Sequence, residues 1–228
     1  MSPQEFHYTV DYYPLVGKAE IIRALLTLGD AKFDEKFTPL ETWKEHKDEY
    51  PFGQVPLLRI TDAASGKVVA ELTESSAIER FLANRFGYGG ANEYEDAQIT
   101  ALRLQFERVF YSIYEHYWTE GKAEEHVKGL HRNLKYLIKY HERVLAKNGG
   151  NGHYVGDKIT IPDLYAVLLY TLTEREGFKD DLNEDDAPLF NKVVQTVMAE
   201  PKLKKYYEDV AERNITQMAA DFPNKIIW

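Results

Sequence analysis

Apolar and polar positions change period several times in the first 86 residues, then settle into one period beyond Tyr94. Phe6 to Tyr12 is β-branched and aromatic and predicts a strand. Residues 18–28 place Ile21, Ile22, Leu25 and Leu28 at helical spacing and stop at Gly29. A second strand is predicted over Lys32 to Phe37 and a short irregular helix over 41–50. Residues 55–60 and 67–70 predict a hairpin around Ser65-Gly66, and Ser75 to Phe86 predicts a helix with Ile78, Phe81 and Leu82 on one face. The order is βαβ, then α, then ββα.

From Tyr94 the pattern is helical throughout. Ile99, Leu102, Phe106, Val109, Phe110, Ile113 and Tyr117 share one segment, and Val127, Leu130, Leu134, Leu137, Ile138, His141 and Val144 the next. An all-helical bundle is expected. Gly87-Tyr88-Gly89-Gly90 breaks the pattern between the halves, and Asn148-Gly149-Gly150-Asn151-Gly152 breaks it within the bundle. The expected organisation is a first domain over 1–86, a linker over 87–93 and a helical domain over 94–228. Thr160-Ile161-Pro162-Asp163 before the apolar stretch 164–172 reads as a Thr-x-x-Asp capping box with proline in the first turn, a folding signal with no catalytic role.

Composition narrows the chemistry. A net charge of −9 argues against sequence-independent nucleic-acid binding, which depends on clustered Lys and Arg. The absence of cysteine excludes disulfides, thiolate metal sites, CxxC redox pairs and a cysteine nucleophile. His116, His126, His131 and His141 lie on predicted helices without the i, i+4 spacing of a metal pair, so no metal site is expected. With no signal-like N-terminus and no long apolar run, a cytoplasmic protein without nucleic-acid or membrane partners is expected.

Two motifs carry the candidate chemistry. Pro51-Phe52-Gly53-Gln54-Val55-Pro56 puts an X-Pro bond at the head of an apolar run, and Glu74-Ser75-Ser76-Ala77-Ile78 puts a serine where a helix opens. Helix N-termini bind carboxylates through their N–H groups and positive dipole end. Glu74 beside Ser75 suits an ammonium, so the pair complements a zwitterion.

With Tyr12-Tyr13 ahead of Gly17-Lys18-Ala19-Glu20, these segments resemble the cytosolic glutathione S-transferases, the tyrosine type and its sigma-like members most closely. The resemblance implies a thioredoxin-like N-terminal domain with a mixed four-stranded sheet, an all-helical C-terminal domain, and glutathione as substrate or cofactor. It implies a cis Pro56 that turns the backbone of Val55 toward the peptide, which then pairs as an added strand. A free thiol with a pKa near 8.5 is only slightly ionised at neutral pH. Lowering it by about two units takes roughly 2.7 kcal/mol, within reach of one hydrogen bond to a charged group. Aligned on Gly17 and Ala19-Glu20, the hydroxyl that supplies it is Tyr12, with Tyr8 and Tyr13 as competitors.

The same resemblance implies glutathione contacts from Lys18, Trp43, Lys47, Gln54, Val55, Pro56, Glu74 and Ser75, and from Glu107 reaching across to the partner subunit's glutathione. Three positions depart from the pattern: Lys18 stands where arginine is usual, Gln54 where lysine is often found, and Glu74 where glutamine is. Tyr13, Leu15, Phe110 and Tyr114 would line a pocket for small hydrophobic electrophiles, and Phe52 matches the aromatic key of a homodimer. Detoxifying conjugation is the expected activity. The alternatives are a glutathione-dependent isomerase or peroxidase resembling the prostaglandin D synthases, and a non-catalytic ligand carrier or lens-crystallin relative.

Overall fold

A computed structural model of the chain describes residues 5–38, 42–118, 124–175, 179–183 and 185–209. The chain folds as two units, the first comprising residues up to Gly87 together with a segment from Lys202 onward, the second beginning at Tyr88.

In the first unit, β1 (Phe6–Tyr12) leads through a 3-10 turn (Gly17–Ala19) into α1 (Glu20–Leu28), then β2 (Lys32–Phe37), α2 (Trp43–His46) with a 3-10 turn (Lys47–Glu49), β3 (Leu57–Asp62), β4 (Val68–Thr73) and α3 (Ser75–Phe86). The sheet order is β2-β1-β3-β4, with β1 parallel to β2 and antiparallel to β3, and β4 antiparallel to β3. This is the mixed four-stranded sheet expected. Tyr8, Val10 and Tyr12 alternate onto the buried face of β1, as the period of two requires. α1 packs on α3, burying Ile21, Ile22, Leu25, Ile78 and Leu82 completely or nearly so. Gly29 caps α1 at a point where a Cβ would fall 2.4 Å from the Phe86 ring, so the close approach of α3 requires glycine there.

The second unit contains α4 (Glu93–Trp118), α5 (Glu124–Lys147), α6 (Ile161–Arg175) and α7 (Pro188–Ala199). α6 touches both α4 and α7, and its residues 161–169 are all buried, which explains why its sequence is apolar all round. Asp163 closes the capping box: its carboxylate accepts the Thr160 N–H at 2.7 Å, the Thr160 hydroxyl at 2.7 Å and the Tyr154 N–H at 2.8 Å.

Two boundaries differ from expectation. α4 begins at Glu93, within the expected linker. The final described helix, α8 (Pro201–Asp209), groups from Lys202 onward with the first unit, where the sequence pattern had assigned it to the helical domain. The reason is a polar tie: the Tyr206 hydroxyl donates to the buried Glu20 carboxylate at 2.8 Å, and Lys202 Nζ donates to the Leu28 carbonyl at 3.0 Å. A hydrogen bond to a charged group contributes about 2 kcal/mol, and no helical periodicity encodes it.

Candidate functional site

Strand register assembles the site. Asp11 pairs with Leu57 and Leu57 with Thr73, so the ends of β1, β3 and β4 lie side by side. Tyr12, the last residue of β1, and Pro56 and Glu74, which flank β3 and β4, are thereby brought to one edge of the sheet although up to 62 positions separate them in the chain. The Val55-Pro56 peptide is cis, as the resemblance implied. Val55 is half-buried and Pro56 buried.

Tyr12 is 7% exposed, and its Oη accepts the backbone N–H of Lys18 at 3.1 Å. Gly17 makes this approach possible. It adopts φ +41°, and a Cβ on it would sit 2.6 Å from Tyr12 Oη. Burial raises the Tyr12 pKa, opposed by the Lys18 amide and the Arg23 guanidinium, so the phenol stays protonated near neutrality. With the amide donating to its oxygen, the phenol keeps its one O–H to give. An accepted hydrogen bond polarises the donor that follows in the chain.

Arg23 is fully buried, with its guanidinium carbon 5.9 Å from the Tyr12 ring centre. It donates to the Leu15 carbonyl at 2.8 Å and lies 3.4 Å from Glu20 and 3.2 Å from Glu35. These contacts hold the turn after β1, and with it the Lys18 amide, in place. Burial raises the pKa of Glu20, with Arg23 and the Tyr206 hydroxyl opposing.

Just past the end of β4, Glu74 stands at φ 65° and ψ 111°, a region non-glycine residues seldom occupy. Such strain persists only where surrounding structure dictates it, and it concentrates at functional positions. Glu74 is exposed, while Ser75 behind it is 6% exposed as the first residue of α3. Helical donors and a carboxylate therefore lie adjacent, as a zwitterionic ligand end requires.

Aromatic rings form a third wall. Tyr13 lies 5.6 Å from Trp43 and Trp43 lies 5.1 Å from Tyr50, centre to centre. Beneath them is a polar network that the sequence pattern did not disclose. Asp11, 1% exposed, accepts Thr38 Oγ1 at 2.7 Å, Tyr50 Oη at 2.9 Å and Lys36 Nζ at 2.9 Å. The available signal was a lone acid between Val10 and Tyr12 in an otherwise apolar and aromatic strand. Lys47 and Gln54 are exposed, Lys18 half-buried, and Trp43 half-buried.

The remaining expected residues divide between the units. Tyr13 is half-buried and Leu15 is 3% exposed in the first unit. In the second, Phe110 is 4% exposed with its ring 5.6 Å from Tyr165, and Glu107 accepts Arg103 Nη1 at 2.9 Å. The Tyr114 side chain lies outside the described residues. Phe52 is 66% exposed. Among the described residues, no group of three His, Asp or Glu side chains could hold a metal ion.

Comparison with known proteins bears on the fold and the family. The family profile described as "Glutathione S-transferase, C-terminal domain" matches residues 106–209. The chain is similar to the Caenorhabditis elegans "Probable glutathione S-transferase 7", 32% identical over 89% of this chain and 96% of the relative. Among solved structures it is similar to a Nu-class enzyme from Haemonchus contortus, with TM-score 0.77, 28% identity, 95% of this chain and all of that one covered. It is also similar to the Fasciola hepatica sigma class GST, with TM-score 0.78, 28% identity and coverage of 90% and 96%. A polypeptide with this sheet, this register-built edge and these relatives over nearly its whole length belongs to the glutathione S-transferase family.

Proposed function

We propose that the protein is a tyrosine-type, sigma-like glutathione transferase in which Tyr12 donates a hydrogen bond to the sulfur of glutathione. The observation that carries this reading is the Lys18 amide donating to Tyr12 Oη at 3.1 Å, which leaves the phenolic proton for a sulfur at the sheet edge. Burial keeps that phenol protonated, so it acts as a donor that stabilises thiolate and not as a tyrosinate base. The thiol gives up its proton to solvent, the thiolate attacks an electrophilic carbon, the new S–C bond forms, and the displaced group leaves with the electron pair of the bond that breaks.

Val55 offers its backbone to the tripeptide as an added strand, Ser75 and the start of α3 take a carboxylate, and Glu74 takes the α-ammonium. Trp43 and Lys47 meet the glycyl end, with Lys18 and Gln54 completing the polar rim. Tyr13 and Leu15 in the first unit, and Phe110 and Tyr114 in the second, are the candidates for contact with a small hydrophobic electrophile. The exposed Phe52 supports a homodimer in which it serves as the key and Glu107 reaches the partner subunit's glutathione. A cytoplasmic role in detoxification fits this chemistry.

Turnover of a chloronitrobenzene acceptor in the parent and in Tyr12→Phe, alongside calorimetric glutathione affinity, tests the reading. Loss of at least about tenfold in turnover is expected, since one hydrogen bond to a charged group is at stake, with affinity retained. Binding without turnover in the parent would instead favour a ligand carrier, and no glutathione binding would overturn the proposal.

A further inference from the structure

We propose that the outer face of α5 is a docking surface for membranes that carry anionic lipids. The inference stands apart from the transferase reading and uses none of its residues.

Between His126 and Lys147 the helix has a single acid, Glu142, and six exposed Lys or Arg residues: Lys128, Arg132, Lys135, Lys139, Arg143 and Lys147. Successive cations are three or four residues apart, so they share one face. At 1.5 Å per residue the row runs for about 28 Å. Glu142 does not dilute it, because its carboxylate accepts the N–H groups of Leu189 at 3.2 Å and Phe190 at 2.7 Å, at the start of α7. Composition does not produce this face by default, since the whole chain carries −9. Like charges four residues apart also disfavour the helix that holds them, so stability is no reason for the row.

The opposite face fixes the orientation. Leu130, Leu134, Leu137, Ile138, His141 and Leu145 are each at most 5% exposed. α4 and α7 pack beside α5, so it cannot roll, and only its outer strip meets solvent. The net charge of −9 disfavours a polyanion as long as a nucleic acid, which would run past this one row onto acidic surface. A half-embedded helix offers a plane, which suits a bilayer surface.

Two tyrosines border the cations. Tyr136 and Tyr140 are 62% and 39% exposed, their ring centres 4.6 Å apart, and Lys139 and Arg143 lie 5.7 and 5.2 Å from the Tyr140 ring centre. Tyrosine favours headgroup depth, where its ring is apolar and its hydroxyl wet. Clusters of four to eight Lys or Arg on a helix attract anionic lipid, and acid elsewhere on the protein is screened beyond a Debye length of about 8 Å. The sequence had suggested no membrane partner. Among the described residues no helix is long and apolar enough to cross a bilayer, and peripheral docking needs none.

The test is co-sedimentation with phosphatidylcholine vesicles containing about 30 mol% phosphatidylserine, in about 0.1 M salt. The parent should bind, and binding should vanish on pure phosphatidylcholine and in about 0.5 M salt. The triple variant Arg132→Glu, Lys139→Glu, Arg143→Glu should bind at least about tenfold more weakly, with its circular dichroism unchanged. Lys139→Gln with Arg143→Gln should give a smaller loss, and serves if the triple variant does not fold. A control with Lys67→Glu, Lys204→Glu and Lys205→Glu, all exposed elsewhere, should bind nearly as the parent does. The proposal fails if the parent does not bind, if binding survives high salt or needs no anionic lipid, or if the control loses as much. Equal or tighter binding to a DNA duplex at the same salt would overturn it in favour of nucleic acid.

Discussion

Asp11 and Asp163 are both almost fully removed from solvent, 1% and 0% exposed, and each accepts three hydrogen bonds that include a threonine hydroxyl. They differ in the origin of their donors. Those of Asp163 come from Thr160 and Tyr154, within nine residues, and two of the three are backbone N–H groups. Those of Asp11 are side chains of Lys36, Thr38 and Tyr50, between 25 and 39 residues away. Asp163 lies buried in a helical core, where burial raises its pKa to about 7. Asp11 meets a lysine whose side chain is 53% exposed, under rings that wall the candidate site. A buried acid with local backbone donors serves the fold, whereas one that gathers distant side chains can set the shape of a site.

The largest effect should come from Asp163→Ala. It strips the acceptor from three buried donors, each costing about 1–3 kcal/mol when left unmade. Relaxation recovers part of this, so a loss of about 3 kcal/mol is expected from urea unfolding, with glutathione affinity of the folded fraction retained.

Asp11→Asn should cost less stability, about 1–2 kcal/mol, because the amide keeps one acceptor oxygen. If the contrast holds, its effect divides unevenly between kinetic constants: the KM for glutathione should rise several-fold, about 1 kcal/mol of binding, with kcat little changed, as Tyr50 shifts beneath Trp43. A stability loss with KM unmoved would make Asp11 as purely structural as Asp163.

The smallest effect concerns pH. His141 is 3% exposed, its Nδ1 is 2.9 Å from Tyr154 Oη, and burial lowers its pKa to about 4 from 6.5. The unfolded chain takes up this proton first, so stability falls as pH drops from 6.5 toward about 4. Asp163 acts in the opposite sense: its pKa is raised from 3.8 to about 7, so its contribution is full at low pH and is lost as pH rises toward 7. His141→Gln removes the first slope and leaves the second. Relative to the parent, the stability of the variant from urea unfolding should improve between pH 7 and pH 6, by at most about 1 kcal/mol. A difference independent of pH would show that His141 is not held neutral by burial.

Much of this molecule was legible without coordinates. β1, β2 and α3 have the bounds that their periodicity predicts, and the Thr160–Asp163 box forms as its spacing requires. Tyr12, Val55, Pro56, Glu74 and Ser75 were identified from motifs, and all are brought to the same sheet edge. The Asp11 network was not legible, because a lone acid in a strand does not say which side chains will surround it. The buried Arg23 was equally hidden, since a helix-face arginine reads as solvated until Glu20 and Glu35 close over it.

The sequence by itself determined what depends on neighbours a few residues apart: period, caps, turns, and the charge row along α5. Only the tertiary structure decided the rest. It placed Tyr12 beside Pro56 and Glu74 through strand register, gathered three distant donors onto Asp11, and tied α8 to the first unit through Tyr206 and Glu20. The physical reason is that hydrogen bonds and burial across long separations depend on which surfaces meet, and that is settled by packing the whole chain at once.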